Sequence, residues 1–237
     1  MIRSLDGDLV ARALAVLLAV LEFVPVAFSS LGFFLLSRLI GRLDRRSGRM
    51  AGVAWGLISF GGLAHATWRL MLVSVGVDIA VFATALVVFL APGLVLFGAG
   101  AGRAWLMARA KETSGDPWLI PLGLGWAGLL GAFVLRDSDD ATAWQWPLLV
   151  LLIFGGLVTS AAVVDLGWRR RLHMAAALVS ANSTVALALI AASSVPGCPA
   201  LLRYLLEVLH AVSEAGFAFA AWRIAVEYQA APGVRPS

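Results

Sequence analysis

The segment PALLRYLLEVLHAVSEAGFAFAAWRIAVEY, Pro199 to Tyr228, contains the strongest evidence for how this chain folds. It is apolar and long enough to cross a lipid bilayer as one helix. Four ionisable residues nevertheless recur along it at i, i+4, i+7 and i+11, namely Arg203, Glu207, His210 and Glu214. At about 100° per residue they share an arc of roughly 60° on one helical face. Ionisable groups at membrane depth cost about 3 kcal/mol each, so this face must point into a helix bundle.

The composition indicates a polytopic membrane protein. Of the 237 residues, 61% are hydrophobic and 14% are charged, with a mean hydropathy of +0.91. Soluble domains carry about 25% charged residues. The one cysteine, Cys198, excludes an internal disulfide and a cysteine-based metal site, and the one lysine, Lys111, excludes a retinal Schiff base on the last helix. The net charge of +4 lies mostly in short loops, which favours a role in membrane orientation over nucleic-acid binding.

Seven apolar runs are long enough to span the hydrocarbon core, which takes about 20 residues. They are Val10–Leu36, Ala51–Val75, Ile79–Trp105, Trp118–Leu135, Trp146–Val164, Met174–Ala192 and Ala200–Ile224. The sequence therefore predicts an all-α bundle of seven transmembrane helices over residues 1–229, followed by a disordered tail over residues 230–237. The first run is too long for the core of a signal peptide, which predicts a retained helix.

Basic connections predict the orientation of these helices. Arginine and lysine cluster after the first, third and fifth runs, at Arg38, Arg42, Arg45, Arg46, Arg49, Arg109, Lys111, Arg169, Arg170 and Arg171. The alternate connections are acidic or neutral, as in RDSDDATAW from Arg136 to Trp144. Positive charge marks the cytoplasmic side, so the N-terminus is expected outside and the C-terminus in the cytoplasm. We expect an integral protein of a bacterial-type inner membrane.

A polar constellation is expected between the first, second and seventh helices. His65 on the second helix and His210 on the seventh both lie about ten residues, or roughly 15 Å, below the predicted outer boundary. Glu22 on the first helix falls near the same level. If these three helices meet, two histidines and up to three carboxylates share one pocket.

Two interpretations of this pocket stay open from spacing alone. Two histidines and one glutamate form an open zinc set that leaves the fourth position for water, and His210 and Glu214 at i, i+4 suit one ion. In the alternative, Arg69 and Arg203 neutralise the buried glutamates in a structural network. Asn182, Ser183 and Thr184 in the sixth helix suit either a solute path or interhelical hydrogen bonds.

Three segments resemble the alkaline ceramidases, a family of seven-helix, zinc-dependent membrane hydrolases. EVLHAVSEAGFAFAAWRIAVEY is similar to the family's last helix, GGLAHATW to its Gly-Ser-x-x-x-His-x-Thr segment, and LEFVPVAFSSLGFF to its Glu-containing first helix. The resemblance implies zinc ligands at His65 and His210, with Glu22 beside them. Glu214 stands where the family has a second histidine, and Gly61 where it has a serine. Asp78 is the candidate for the family's acidic residue after the second helix.

These observations predict a zinc-dependent intramembrane hydrolase of a lipid amide or related acyl bond. The metal would lower the pKa of its bound water, while Asp78 or Glu207 would shuttle the proton. The expected partners are a membrane lipid substrate and the bilayer, with no nucleic acid. The first alternative is a small-ion or solute transporter or channel lined by Glu22, Glu207 and Glu214. An inactive relative or receptor, and haem ligation by the two histidines, are further alternatives.

Overall fold

In a computed structural model of the chain, the described residues are 14–109, 115–140, 142–193 and 200–230, without the side chains of residues 193 and 200–204. Within these ranges the chain forms helices and no strand. The helices are α1 (Leu14–Leu43), α2 (Arg45–Val75), α3 (Ala80–Ala108), α4 (Leu119–Leu135), α5 (Gln145–Arg169), α6 (His173–Ser193) and α7 (Ala200–Ala230). A turn at Glu22 interrupts α1, and the helix continues without a break over Phe23–Leu43.

Five helices of the described part are long and apolar enough to cross a membrane: α1, α3, α5, α6 and α7. The chain is therefore an all-helical membrane protein. The apolar α4 has 17 residues, and α2 has 31 residues that include four arginines and a histidine. These seven helices follow the order of the seven predicted apolar runs. Residues 231–237, which contain most of the predicted disordered tail, lie outside the described ranges.

The predicted connection between the first two helices is wrong. The arginine-rich segment expected to be a loop is helical except at one residue, Asp44. The Asp44 side chain accepts hydrogen bonds from the backbone N–H groups of Arg46 and Ser47, which caps the start of α2. Gly41 in α1 and Gly48 in α2 let the two helices approach closely at this break, because a Cβ atom at Gly48 would overlap the Gly41 backbone.

The helices form a closed ring. Each helix packs against its neighbours in sequence, and α7 packs against both α6 and α1. The helix α3 lies against α1, α2, α4 and α5. The main apolar core joins side chains from most helices, including Leu36, Met50, Phe97, Val163 and Phe217. Since α1 lies between α2 and α7, those two helices make at most marginal backbone contact.

Candidate functional site

An ion network joins three helices near one end of the bundle. The Arg69 Nη1 atom in α2 donates hydrogen bonds to Oε1 of Glu22 in α1 and, over 3.1 Å, to Oε1 of Glu207 in α7. The Glu22 side chain is 16% exposed. The structural network predicted around Arg69 is thus confirmed for these two glutamates. The side chain of Arg203, its other predicted cation, lies outside the described residues.

A second polar cluster lies between α6 and α7. The Asn182 Nδ2 atom lies 3.4 Å from Glu214 Oε1, to which it donates, and His210 Nδ1 lies 4.0 Å from the same oxygen. Glu214 is 7% exposed and is the one buried carboxylate of the described residues. The structural network predicted for the glutamates does not extend to Glu214, because no arginine of the described part pairs with it.

This second cluster lies at the middle of both helices. Glu214 is 14 residues after the first residue of α7 and 16 residues before the last. Asn182 is nine residues after the start of α6 and 11 before its end. With a rise of about 1.5 Å per residue, Glu214 is roughly 21 Å from the start of its helix and therefore far from both helix ends.

Three buried polar atoms of the cluster have no hydrogen-bond partner among the described residues. They are Glu214 Oε2, Asn182 Oδ1 and His210 Nδ1. A carboxylate oxygen and an amide oxygen accept hydrogen bonds, and a neutral imidazole presents one accepting nitrogen. Buried polar groups left without partners are costly, so this arrangement favours a bound proton, cation or polar molecule.

His65 faces a different part of the bundle. It lies one turn after Gly61, whose missing Cβ faces Ala85, Leu86 and Phe89 of α3. Its buried Nδ1 atom has no hydrogen-bond partner among the described residues. The ring also packs on Trp68, with the ring centres 5.3 Å apart.

The two predicted proton shuttles are engaged separately. Asp78 accepts a hydrogen bond of 2.8 Å from Trp68 Nε1 at the exposed connection between α2 and α3. Glu207 pairs with Arg69. Neither carboxylate lies in a common site with both His65 and His210, so the predicted arrangement of a shuttle beside two zinc ligands is not present.

The predicted zinc set does not assemble in this arrangement. No group of three or more His, Cys, Asp or Glu side chains in the described part of the chain is placed to hold a metal ion. The convergence predicted for His65, His210, Glu214 and Glu22 is not seen among the described residues, where Glu22 is held by Arg69 and Glu214 contacts Asn182. Zinc binding by these residues stays a prediction.

Among the polar clusters that sequence reasoning missed, one lies at the other end of the bundle. Asp165 in α5 accepts hydrogen bonds from Trp105 Nε1 over 2.7 Å, from Arg109 Nη2 over 3.1 Å, and from Arg169 Nε. Arg109 also stacks on the Trp105 ring at 3.9 Å. The i, i+4 spacing of Asp165 and Arg169 was the available signal for one of these contacts.

The interhelical hydrogen bonds predicted for α6 are present for Asn182 and Ser183, whereas the hydrogen bond of Thr184 lies within α6. Ser183 pairs with Ser160 of α5, which joins these two helices. Thr184 donates to the Ser180 carbonyl of its own helix.

No protein-family model, curated protein or solved structure matches the chain. The resemblance to the alkaline ceramidases therefore rests on the three quoted segments and stays a prediction.

Proposed function

We propose that this protein moves a small cation, the proton being the simplest case, across the membrane through a polar site centred on Glu214. The observation that carries the proposal is a buried carboxylate at the middle of α7 whose second oxygen has no partner among the described residues. Ionisable residues inside a membrane mark ion and proton pathways more often than structural positions.

Polar groups on both sides of Glu214 support a path for a cation rather than a purely structural role for this carboxylate. Toward one end of the bundle, Glu207 lies one helical repeat of seven residues, or about 10 Å, away on the same face of α7. Toward the other end, Asn182 adjoins Ser183, which contacts Ser160 of α5. The polar residues that support the path are Glu22, Arg69, Glu207, His210, Glu214, Asn182, Ser183 and Ser160.

The chemistry of the cluster favours a positively charged substrate. The unpartnered atoms of Glu214 and Asn182 are acceptors, and ionised Glu214 supplies the negative charge. No arginine of the described residues neutralises this carboxylate, in contrast to Glu22 and Glu207. A bound proton or cation supplies the missing partner.

The proposal includes seven membrane spans, with the N-terminus outside and the C-terminus in the cytoplasm. The basic ends of α1, α3 and α5 lie on one side of such an arrangement, as positive-inside bias requires. With this orientation, the network around Arg69 lies toward the outside and the cluster around Asp165 toward the cytoplasm.

Flux measurements on the purified full-length protein in liposomes test the proposal. All liposomes contain a pH-sensitive dye. Under an imposed membrane potential, the interior of liposomes that carry the protein should acidify faster than that of protein-free liposomes. Parallel assays should measure the flux of Na⁺ and of K⁺. Glu214→Gln keeps the shape of the side chain and removes its charge, so we expect at least a tenfold loss of flux. Glu227→Gln is the matched control, because Glu227 is an exposed carboxylate of the same helix.

Two outcomes would contradict the proposal. One is a flux no greater than that of empty liposomes for all three cations. The other is an equal loss of flux in Glu214→Gln and Glu227→Gln.

Metal analysis of the same purified protein separates this proposal from the predicted hydrolase. Stoichiometric zinc that is lost in His210→Ala and increased in Glu214→His would support the hydrolase. Absence of zinc from the parent and from Glu214→His, together with cation flux, would support transport.

A further inference from the structure

A basic cleft lies where α1 ends and α2 begins, away from the polar cluster around Glu214. It is lined by Asp44, Arg45, Arg46, Arg49 and Arg103. The four arginines contribute a charge of +4 and the aspartate contributes −1, so the lining has a net charge of +3.

The single carboxylate of the cleft is already engaged. Asp44 pairs with Arg103 Nε over 3.1 Å and caps the first turn of α2. Burial alone would raise the pKa of Asp44, but hydrogen bonds from the Ser47 hydroxyl and from two backbone N–H groups, with the Arg103 guanidinium, hold its pKa below the usual range. Asp44 therefore stays ionised near neutral pH and is committed to holding α1, α2 and α3 together.

The other three arginines have no counter-ion in the described part of the chain. No described acidic side chain lies within ion-pair distance of Arg45, Arg46 or Arg49, and all three are exposed. They occupy the first five residues of α2, where the helix dipole is positive and disfavours cations. Arg45 and Arg49 are also like charges at i, i+4, which repel each other. A bound anion offsets both unfavourable effects.

The face of α2 above these arginines is apolar and is not covered by the part of the chain that the structure describes. Val53 and Phe60 follow Arg49 at i+4 and i+11, which places them on nearly the same face of the helix. Val53 is 50% exposed and Phe60 is 53% exposed. One side of α2 thus changes from basic to apolar along its length, in the order of a phospholipid headgroup and its acyl chain.

We propose that this cleft binds the phosphate of an anionic phospholipid, with Arg45, Arg46 and Arg49 around the headgroup and an acyl chain along Val53 and Phe60. A free phosphate ion matches the arginines but not the apolar face. Several arginines immediately beside a membrane helix suit anionic lipids because each guanidinium adds attraction at the membrane surface. Arginine also forms forked hydrogen bonds to phosphate oxygens.

Lipid titrations of the full-length protein in detergent test this site. We would add phosphatidylglycerol, phosphatidylcholine with the same acyl chains, or inorganic phosphate, and measure the melting temperature and the number of retained lipids by native mass spectrometry. Phosphatidylglycerol should raise the melting temperature of the parent by several degrees and remain bound. The other two additions should have less than half of that effect.

The double variant Arg45→Gln/Arg49→Gln should lose at least half of the shift caused by phosphatidylglycerol. The matched control is Arg171→Gln/Arg223→Gln, which removes two exposed arginines outside the cleft and should respond like the parent. Circular dichroism of each variant establishes that its helices are intact before the comparison.

Three results would overturn the proposal. A full phosphatidylglycerol shift in Arg45→Gln/Arg49→Gln would place the lipid elsewhere, and an equal loss in both double variants would indicate a general charge effect. An equal response of the parent to inorganic phosphate would assign the cleft to a soluble anion.

Discussion

Arg69 links three helices, because this residue of α2 forms ion pairs with carboxylates of α1 and α7. Its guanidinium is shared by Glu22 and Glu207, so its removal leaves two carboxylates facing each other without their common donor. Because the Arg69 side chain is 39% exposed, we expect Arg69→Gln to lower the free energy of unfolding by about 1–2 kcal/mol, less than the 3–5 kcal/mol typical of a fully buried pair. Thermal or denaturant unfolding in detergent measures this change.

The control for Arg69→Gln is Arg223→Gln, since Arg223 is exposed and contacts the Trp222 ring at 6.0 Å. We expect this control to change stability by less than about 0.5 kcal/mol. Adding Glu22→Gln to Arg69→Gln should recover part of the loss, because it removes one of the two facing charges. Strict additivity of the two substitutions would contradict the proposed coupling.

At the scale of helices, α3 and α5 pack closely against each other at Gly155. A Cβ atom on Gly155 would lie 2.6 Å from the carbonyl carbon of Leu94, a backbone atom that cannot move independently of its helix. Gly156, the next residue, would place its Cβ 4.0 Å from the nearest side-chain atom. Small residues at such contacts let membrane helices approach closely.

This contrast gives a matched pair of substitutions. We expect Gly155→Ala to destabilise the protein by about 1–3 kcal/mol, because α3 and α5 must separate to admit the methyl group. Gly156→Ala should be neutral or stabilising by up to about 1 kcal/mol, because alanine is the better helix former. The melting temperatures of the two variants provide the comparison, and an equal effect would show that α3 and α5 do not meet at Gly155.

The order of the helices was predictable, but their ends were not. Hydropathy reports which residues suit hydrocarbon, whereas a helix continues wherever its backbone hydrogen bonds are satisfied. The apolar run that was predicted to end at Leu36 therefore extends to Leu43, and α2 begins six residues before the predicted Ala51. The break at Asp44 depends on a cap and on two closely packed glycines, which hydropathy does not report.

At the scale of the whole molecule, the depth of each polar residue was easier to predict than its neighbours. Counting along α7 correctly placed His210 about ten residues from the start of its helix. It did not reveal that His65 would face α3, because helical periodicity does not determine the order of helices around the bundle. Arg69 was assigned to a network correctly, since an arginine within a predicted membrane helix needs carboxylates and few were available.

We expect seven spans with the N-terminus outside, and labelling of single cysteines in whole cells tests both the number of spans and their direction. After removal of the one native thiol with Cys198→Ala, a cysteine is introduced at exposed Ser138, between α4 and α5, or at exposed Arg171, between α5 and α6. Seven spans with an outer N-terminus place the first position outside and the second in the cytoplasm. A membrane-impermeant maleimide should therefore label Ser138→Cys in intact cells but label Arg171→Cys only after permeabilisation. Protection of Ser138→Cys would mean that the 17-residue α4 does not cross the membrane or that the orientation is reversed, and external labelling of Arg171→Cys would favour reversal.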